Sequence, residues 1–148
     1  MFKTIIEMKI EDNFCSYDIS KQLKSLGFDE ECLACFNEIE ILEGNHKGIA
    51  YSVSNEDLRK TPEIYISAPL YSQVEQWLRE KYNIHINLNP QADSKDGITF
   101  IPNGKWCGTI DNISKVEMMN SDTICLIPIG NTYQEAREQA IIEALKLI

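Results

Sequence analysis

The sequence lacks the features of a membrane or nucleic-acid-binding protein. It has no apolar run close to the roughly 20 residues that a membrane-spanning helix needs. It is poor in basic residues, since 14 Lys and Arg stand against 23 Asp and Glu, which gives a net charge of −9. Nucleic acids and anionic membranes repel such a charge, so neither is expected as a direct partner. The N-terminal stretch has no signal-peptide pattern, which predicts a cytoplasmic protein.

The sequence also has little of what a metal or redox site requires. Its five cysteines are an odd number, and only Cys32 and Cys35 form a close pair. Zinc would need two more ligands, and a redox motif should open a helix after a strand. The favoured interpretation is therefore that these cysteines are free thiols and act as small apolar side chains. No metal and no cofactor are predicted.

Signs of catalysis are equally sparse. The two histidines are His46, in a predicted turn, and His85, which alternates with Ile84 and Ile86 and should be exposed on the opposite face. No serine, cysteine or carboxylate has a spacing that ties it to either histidine, so no catalytic residue is predicted. An enzyme is not favoured, although a site assembled from scattered residues, for example around Cys107 or His85, stays open.

What is present is a chain of 148 residues with 43% hydrophobic content, enough for one ordinary core. The stretch from Ile64 to Leu88 organises it as strand, helix and strand. Ser67 is predicted to cap the helix, with Pro69 in its first turn, and Asn83 is predicted to end it. The apolar stripe of this helix, in which Trp77 should be buried, is Leu70, Val74, Trp77, Leu78 and Tyr82.

Two further helices are predicted. The first covers about Ser16 to Leu26, because Gly27 suits a left-handed terminus and Phe28 can fold back. The second follows Thr132, whose spacing to Glu135 is that of a capping box. Its buried stripe is predicted to be Ala136, Ala140, Ile141, Ala144, Leu145 and Ile148.

The remaining segments are predicted to form mostly strands and turns. Alternation predicts a strand over residues 2–10 and a hairpin that joins residues 38–41 to 49–53. A last strand is predicted over 123–129, where Pro128 would restrict it to a sheet edge or a strand end. Residues 98–101 and 106–110 are predicted to pair around a turn at 102–105, after a loop at 89–97. The fold class is therefore α+β: a single domain, residues 1–148, with an antiparallel or mixed sheet and about three helices packed on it.

Acidic residues concentrate around the first hairpin. Residues 29–43 contain six acids and no Lys or Arg. A solvated hairpin face is the commoner explanation, and a docking face for a basic partner is the functional one. Because Ile39 and Ile41 need the buried face, the candidate partner-binding residues are Glu38, Glu40 and Glu43.

Two segments carry a resemblance to a known family. They are Ser67-Ala68-Pro69 with the following Trp77-Leu78-Arg79-Glu80-Lys81-Tyr82, and the ending from Thr132-Tyr133-Gln134-Glu135-Ala136 to Leu147-Ile148. The chain resembles a family of small uncharacterised proteins from prophages and mobile elements of gut bacteria. The resemblance implies a compact domain in such a setting, and it implies no activity and no catalytic residues.

Three functional hypotheses follow. The leading one is a small acidic accessory module that binds a protein partner, and its acidic charge favours a basic one. The first alternative is an enzyme with a scattered site. The second is a nucleic-acid mimic that inhibits a host DNA-binding enzyme, which would need a longer carboxylate array than these six acids.

Overall fold

The computed structural model describes residues 10–37, 49–51, 65–112 and 122–148, which fall in two compact units, Met1–Leu70 and Tyr71–Ile148. The described elements of the first unit are a short 3-10 helix Ile10–Asn13, helix α1 Tyr17–Ser25, and strands β1 Ala34–Asn37, β2 Ile49–Tyr51 and β3 Tyr65–Ala68. Those of the second unit are helices α2 Tyr71–Tyr82 and α3 Tyr133–Leu145, and strands β4 Ile84–Ser94, β5 Phe100–Asn112 and β6 Asp122–Gly130. The predicted α+β class is confirmed, with antiparallel pairing and three α-helices in the described residues.

Helix α1 ends as its sequence predicts. Gly27 has a φ of +81°, a left-handed conformation that glycine adopts without steric cost. The Phe28 N–H donates to the Leu23 carbonyl at 3.0 Å, and the Gly27 N–H donates to the Lys24 carbonyl at 3.2 Å. These two bonds form the Schellman motif, which satisfies carbonyls that the helix end would otherwise leave without partners.

The first unit contains an antiparallel sheet of order β2-β1-β3. Ala34 lies opposite Tyr51 on one side and Ala68 on the other. Strand β2 covers part of the second strand of the first predicted hairpin, but its partner is β1, residues 34–37, and the strand predicted at 38–41 lies outside the described residues. Its core cluster consists of Phe14, Ala34, Phe36, Ile66 and Ala68.

The start of the central helix differs from the prediction. Ser67 lies within β3 opposite Cys35, so it cannot cap a helix, and α2 begins only at Tyr71. Leu70 makes an isolated bridge with Phe14 instead of joining the helical stripe. The strand continues through Ser67 because β1 offers it backbone hydrogen bonds, a long-range partner that local cap chemistry does not reveal.

The rest of α2 follows the predicted pattern. Trp77 is only 4% exposed, which confirms its predicted burial, and it packs edge-on against Tyr82 with ring centroids 4.9 Å apart. Asn83 has a φ of +53°, and its N–H donates to the Arg79 carbonyl at 3.1 Å. This left-handed residue ends the helix as predicted.

The second unit contains an antiparallel sheet of order β4-β5-β6. The predicted loop at 89–97 and turn at 102–105 are wrong, because β4 extends to Ser94 and β5 runs unbroken from Phe100 to Asn112. The hairpin therefore turns at residues 95–99. The last strand, β6, lies at the edge of this sheet, as the presence of Pro128 predicts.

The two faces of this sheet differ in chemistry. Ile84 and Ile110 are fully buried on the face that α2 and α3 cover. The opposite face carries His85, Asn87 and Asp111 at alternating positions. His85 is half-buried there, so its predicted exposure is only partial.

Helix α3 begins at the predicted Thr132 cap, and the Glu135 carboxylate reaches back to the residue before the cap. The Thr132 hydroxyl accepts from the Glu135 N–H at 3.1 Å, and the Glu135 carboxylate accepts from the Asn131 N–H at 3.0 Å. The buried residues of the helix are Ala136, Ala140, Ile141, Ala144 and Leu145. Ile148 is 40% exposed and lies beyond the helix, so its predicted place in the buried stripe is wrong.

Candidate functional site: an uncovered β-arm

The most distinctive surface is the distal part of the β4–β5 hairpin. Strand β5 pairs with β6 only as far as Trp106, which lies opposite Gly130. Beyond that pair no other strand of the described residues joins β4 and β5, and we call residues 91–105 the arm. Every residue from 93 to 102 is exposed. Both faces of the arm are therefore exposed to solvent over this stretch, whereas Gln91, Ala92 and Asn103 at its base are half-buried.

A register shift separates the arm from the body of the sheet. Pro90 lies opposite Trp106, whereas Ala92 lies opposite Pro102, so three residues of β5 face the single residue Gln91. Gly104 has a φ of +77° within this irregularity. Extra residues of this kind bend a strand and increase its twist. The Pro-Asn-Gly signal that predicts a turn thus forms a bulge inside a long strand.

The tip of the arm is a well-bonded turn. The Asp96 carboxylate accepts from the backbone N–H of Thr99, from that of Ile98 at 3.0 Å, and from the Thr99 hydroxyl at 2.9 Å. These bonds, led by the one from the Thr99 N–H, lower the pKa of the Asp96 carboxyl. The Gly97 N–H donates to the Ser94 hydroxyl at 2.8 Å. The turn fixes where the neighbouring apolar side chains emerge.

The arm exposes large apolar side chains. Ile98 is 84% exposed, Phe100 68% and Ile101 50%. Residues directly opposite each other share a face, and Ser94 pairs with Phe100. The face that holds Phe100, which we call the arm face, consists of Ala92, Ser94, Phe100 and Pro102.

The arm face continues the apolar face of the sheet. Side chains alternate along a strand, so Ala92 and Ser94 lie on the same side of β4 as the buried Ile84. Helices cover that side near Ile84 and leave Phe100 exposed. The arm face is therefore an apolar sheet surface that extends past its helical cover.

The charges of the arm sum to zero. Asp93 and Asp96 are balanced by Lys95 and Lys105, whereas the whole chain carries −9. None of these four residues belongs to the arm face. The arm face is therefore an uncharged surface on a strongly acidic protein.

The open edge of β5 is poorly suited to pairing with another strand. Pro102 has no N–H to donate, and the register shift begins at the next residue. An added strand would find fewer than four consecutive regular residues on this edge. The β5 edge of the arm is therefore a poor template for an added strand.

An aromatic and ionic cluster lies at the base of the arm. Trp106 packs edge-on against Tyr133 of α3, with ring centroids 5.0 Å apart. The Arg137 guanidinium lies over the rings of Tyr71 and Tyr133, at 5.5 and 5.8 Å from their centroids. Its Nε and Nη2 donate to the Glu75 carboxylate at 2.6 and 3.0 Å. This cluster ties α3 to α2 and to the strand that carries the arm.

The polar face of the sheet keeps Cys107 and His85 apart. The Asp111 carboxylate accepts from the Asn87 amide at 3.0 Å and from the Thr123 hydroxyl at 2.7 Å. His85 lies opposite Asp111, and Cys107 lies opposite Asn89. Four residues along β4 span roughly 13 Å, so Cys107 and His85 are beyond hydrogen-bonding reach of each other.

The Cys32–Cys35 pair has the chemistry of buried thiols. Cys35 is buried within β1, and Cys32 precedes the strand. Burial raises the pKa of the Cys32 thiol to about 11, and it also raises the pKa of the Cys35 thiol. The thiolate is the form that attacks disulfides and binds metals, so raised pKa values oppose both roles.

The partner-binding residues predicted from the sequence, Glu38, Glu40 and Glu43, lie outside the described residues, as does His46. The acidic run 29–31 that precedes them is exposed throughout. Sequence reasoning missed the arm. The signal that could have revealed it is Asp96-Gly97, a dipeptide common in hairpin turns, between segments able to form strands.

Comparisons with known proteins identify no relative. No family model, no curated protein and no solved structure matches the chain. Among the described residues, no three His, Cys, Asp or Glu side chains are grouped so that they could hold a metal ion. None of the helices in the described part of the chain is long and apolar enough to cross a membrane.

Proposed function

We propose that this protein is a protein-binding module whose arm face, together with Ile98 at the tip, contacts the partner. The observation that supports the proposal is the exposure of Ile98 and Phe100 on an arm that no other described strand or helix covers. Apolar side chains grouped on a protruding element are typical of interaction surfaces.

The energetics favour a contact at this place. Burying a side chain such as Phe or Ile contributes about 1.5–3 kcal/mol, so two of them could supply a useful share of the binding free energy. The hydrogen bonds of Asp96 hold the tip turn in shape before any partner arrives. A preformed turn reduces the entropy that binding must overcome.

The proposal includes the biological setting that the sequence predicts. A cytoplasmic accessory role in a prophage or mobile element rests on the family resemblance. A basic partner for Glu38, Glu40 and Glu43 rests on the acidic composition. The uncharged arm face does not need a basic partner, because it carries no charge to attract one.

Affinity capture from the native host tests the proposal. The doubly substituted Ile98→Ser, Phe100→Ser chain should lose a partner that the wild-type chain retains. Leu33→Ser is the matched control, because Leu33 is 71% exposed and lies far along the chain, in the first unit. The control should keep the partner.

Two outcomes would overturn the proposal. One is equal capture by the wild-type and doubly substituted chains. The other is binding of the wild-type chain to phosphatidylcholine vesicles that the double substitution abolishes, because the apolar tip would then insert into lipid rather than contact a protein.

A further inference from the structure

We infer that the arm face binds the arm face of a second copy of this chain. The inference rests on the proposed function and names the partner of the same site. The two arms would stack face to face about a twofold axis, with their sheets about 10 Å apart, as packed sheets are.

Charge selects this surface for self-association. Two copies that each carry −9 repel each other wherever their acidic surfaces approach. An isologous contact places each patch against its own copy, so a patch with net charge would repel itself. The arm face, formed by Ala92, Ser94, Phe100 and Pro102, carries no charge and lies on an arm whose charges sum to zero. Two copies can therefore meet there without bringing like charges into contact.

The two faces of the arm differ in a way that makes the inference specific. Phe100 lies on the arm face, and its neighbour Ile101 lies on the opposite face with Asp93. On that opposite face Asp93 also accepts a hydrogen bond from the Asn103 amide at 3.0 Å. If two copies stacked on that face, each would bury its negatively charged Asp93 carboxylate against that of the other, which is unfavourable. Phe100 should therefore matter to the dimer and Ile101 should not.

The size of the arm face predicts a weak dimer. Stable interfaces bury about 1,200–2,000 Å² in total, and four residues with Ile98 from each copy provide less than that. We expect a dissociation constant of roughly 10–1,000 µM, in the range of small transient interfaces. Raising salt should strengthen the dimer, because screening shortens the repulsion between the acidic bodies from about 30 Å at 0.01 M to about 3 Å at 1 M.

Sedimentation velocity on the purified full chain tests the inference without an unknown partner. Wild-type protein is measured at concentrations from about 10 µM to 1 mM, at 0.01 M and at 1 M NaCl. The variants Phe100→Ser and Ile101→Ser are measured as a matched pair under the same conditions. We expect dimer that increases with concentration and with salt, at least a tenfold weaker association for Phe100→Ser, and little change for Ile101→Ser. Circular dichroism confirms that both exposed substitutions leave the fold intact.

Three results would overturn the inference: a monomer under all conditions, a dimer that Phe100→Ser does not weaken, or a dimer that Ile101→Ser weakens equally. The failure of the inference remains distinguishable from the failure of the proposed function. A strictly monomeric chain whose arm substitutions still abolish capture of another protein would refute self-association and support the binding module.

Discussion

The half-buried thiol of Cys32 shows how the surroundings of a side chain can lower its reactivity. The pKa of the thiol is raised from an ordinary 9.0 to about 11, chiefly by burial; a hydrogen bond to Ser67 lowers the pKa, and the Glu30 carboxylate raises it. At pH 8 the folded protein should hold about 100-fold less Cys32 thiolate than the unfolded chain, since each pH unit is a factor of ten.

Alkylation by iodoacetamide, followed residue by residue with mass spectrometry, checks this expectation. Cys32 should react about 100-fold more slowly in the native protein than in denaturant at pH 8, and its rate should still be rising above pH 9. A native rate equal to the denatured rate would restore the Cys-x-x-Cys motif as a candidate redox or metal site.

Trp77 is a large aromatic residue in the buried stripe of α2. It is 4% exposed and contacts Tyr82 edge-on, while the Lys81 ammonium lies 5.3 Å from its ring centroid. Trp77→Ala should lower the free energy of unfolding by about 3–5 kcal/mol, because it leaves a large cavity. Thermal and urea unfolding measure the loss, and an unchanged melting midpoint would show that Trp77 is not a core residue.

At the scale of elements, the link between α2 and α3 is a guanidinium held by a carboxylate and two rings. The Arg137 and Glu75 side chains are only 15% and 19% exposed. Lysine keeps the charge of Arg137 but cannot reproduce the forked bond or the stacking. Arg137→Lys should therefore lower the free energy of unfolding by about 1–3 kcal/mol.

The exposed pair of Lys146 and Glu143 supplies a control for this link. The Lys146 Nζ lies 2.6 Å from the Glu143 Oε1, yet the Lys146 side chain is 58% exposed. Lys146→Gln should leave the melting midpoint almost unchanged, because solvent screens exposed pairs. Equal destabilisation by Arg137→Lys and Lys146→Gln would contradict a structural role for the Arg137 cluster.

The tip turn of the arm should depend on pH through Asp96. Its pKa is lowered in the folded state by the bonds from Thr99 and Ile98. A lowered carboxyl pKa means that the contribution to stability is fully present above the ordinary value of about 3.9 and is lost as pH falls through the folded value. Nuclear magnetic resonance should show the Asp96 carboxyl titrating below that value, together with the amide shifts of Ile98 and Thr99. Titration at or above the ordinary value would contradict the observed bonding.

The helix ends were the most predictable part of the fold, because their chemistry is local. Gly27, Asn83 and the Thr132 cap each act within a few residues, and the structure places each as the sequence predicts. The start of α2 was not predictable in this way. Ser67 has the side chain of a cap, but its backbone pairs with Cys35, 32 residues earlier in the sequence.

The arm was missed for the same physical reason. Pro102, Asn103 and Gly104 have the composition of a turn, and a local pattern cannot distinguish a turn from a bulge. The difference is set by β4, which keeps pairing with β5 on both sides of the irregularity. The exposure of Phe100 likewise depends on where β6 and the helices end, which no alternation within β5 reveals.

Across the whole molecule, two candidate surfaces differ in their charge. The arm face is uncharged, and the acidic residues Glu38, Glu40 and Glu43 remain a predicted site for a basic partner. Salt should weaken binding at an acidic site and strengthen contacts between uncharged apolar faces of like-charged molecules. The response to salt therefore indicates which surface a given partner uses.

Photocrosslinking from the arm face tests the central claim most directly. p-Benzoylphenylalanine is placed at Phe100 in one chain and at Leu33 in another, and both are irradiated in the native host. We predict an adduct from position 100 and none from position 33. If a second copy is the partner, the mass of the adduct should be twice the 17.0 kDa of one chain. An adduct of another mass identifies a different protein at the same face. No adduct from position 100, or equal adducts from both positions, would contradict the claim that the arm face is an interaction surface.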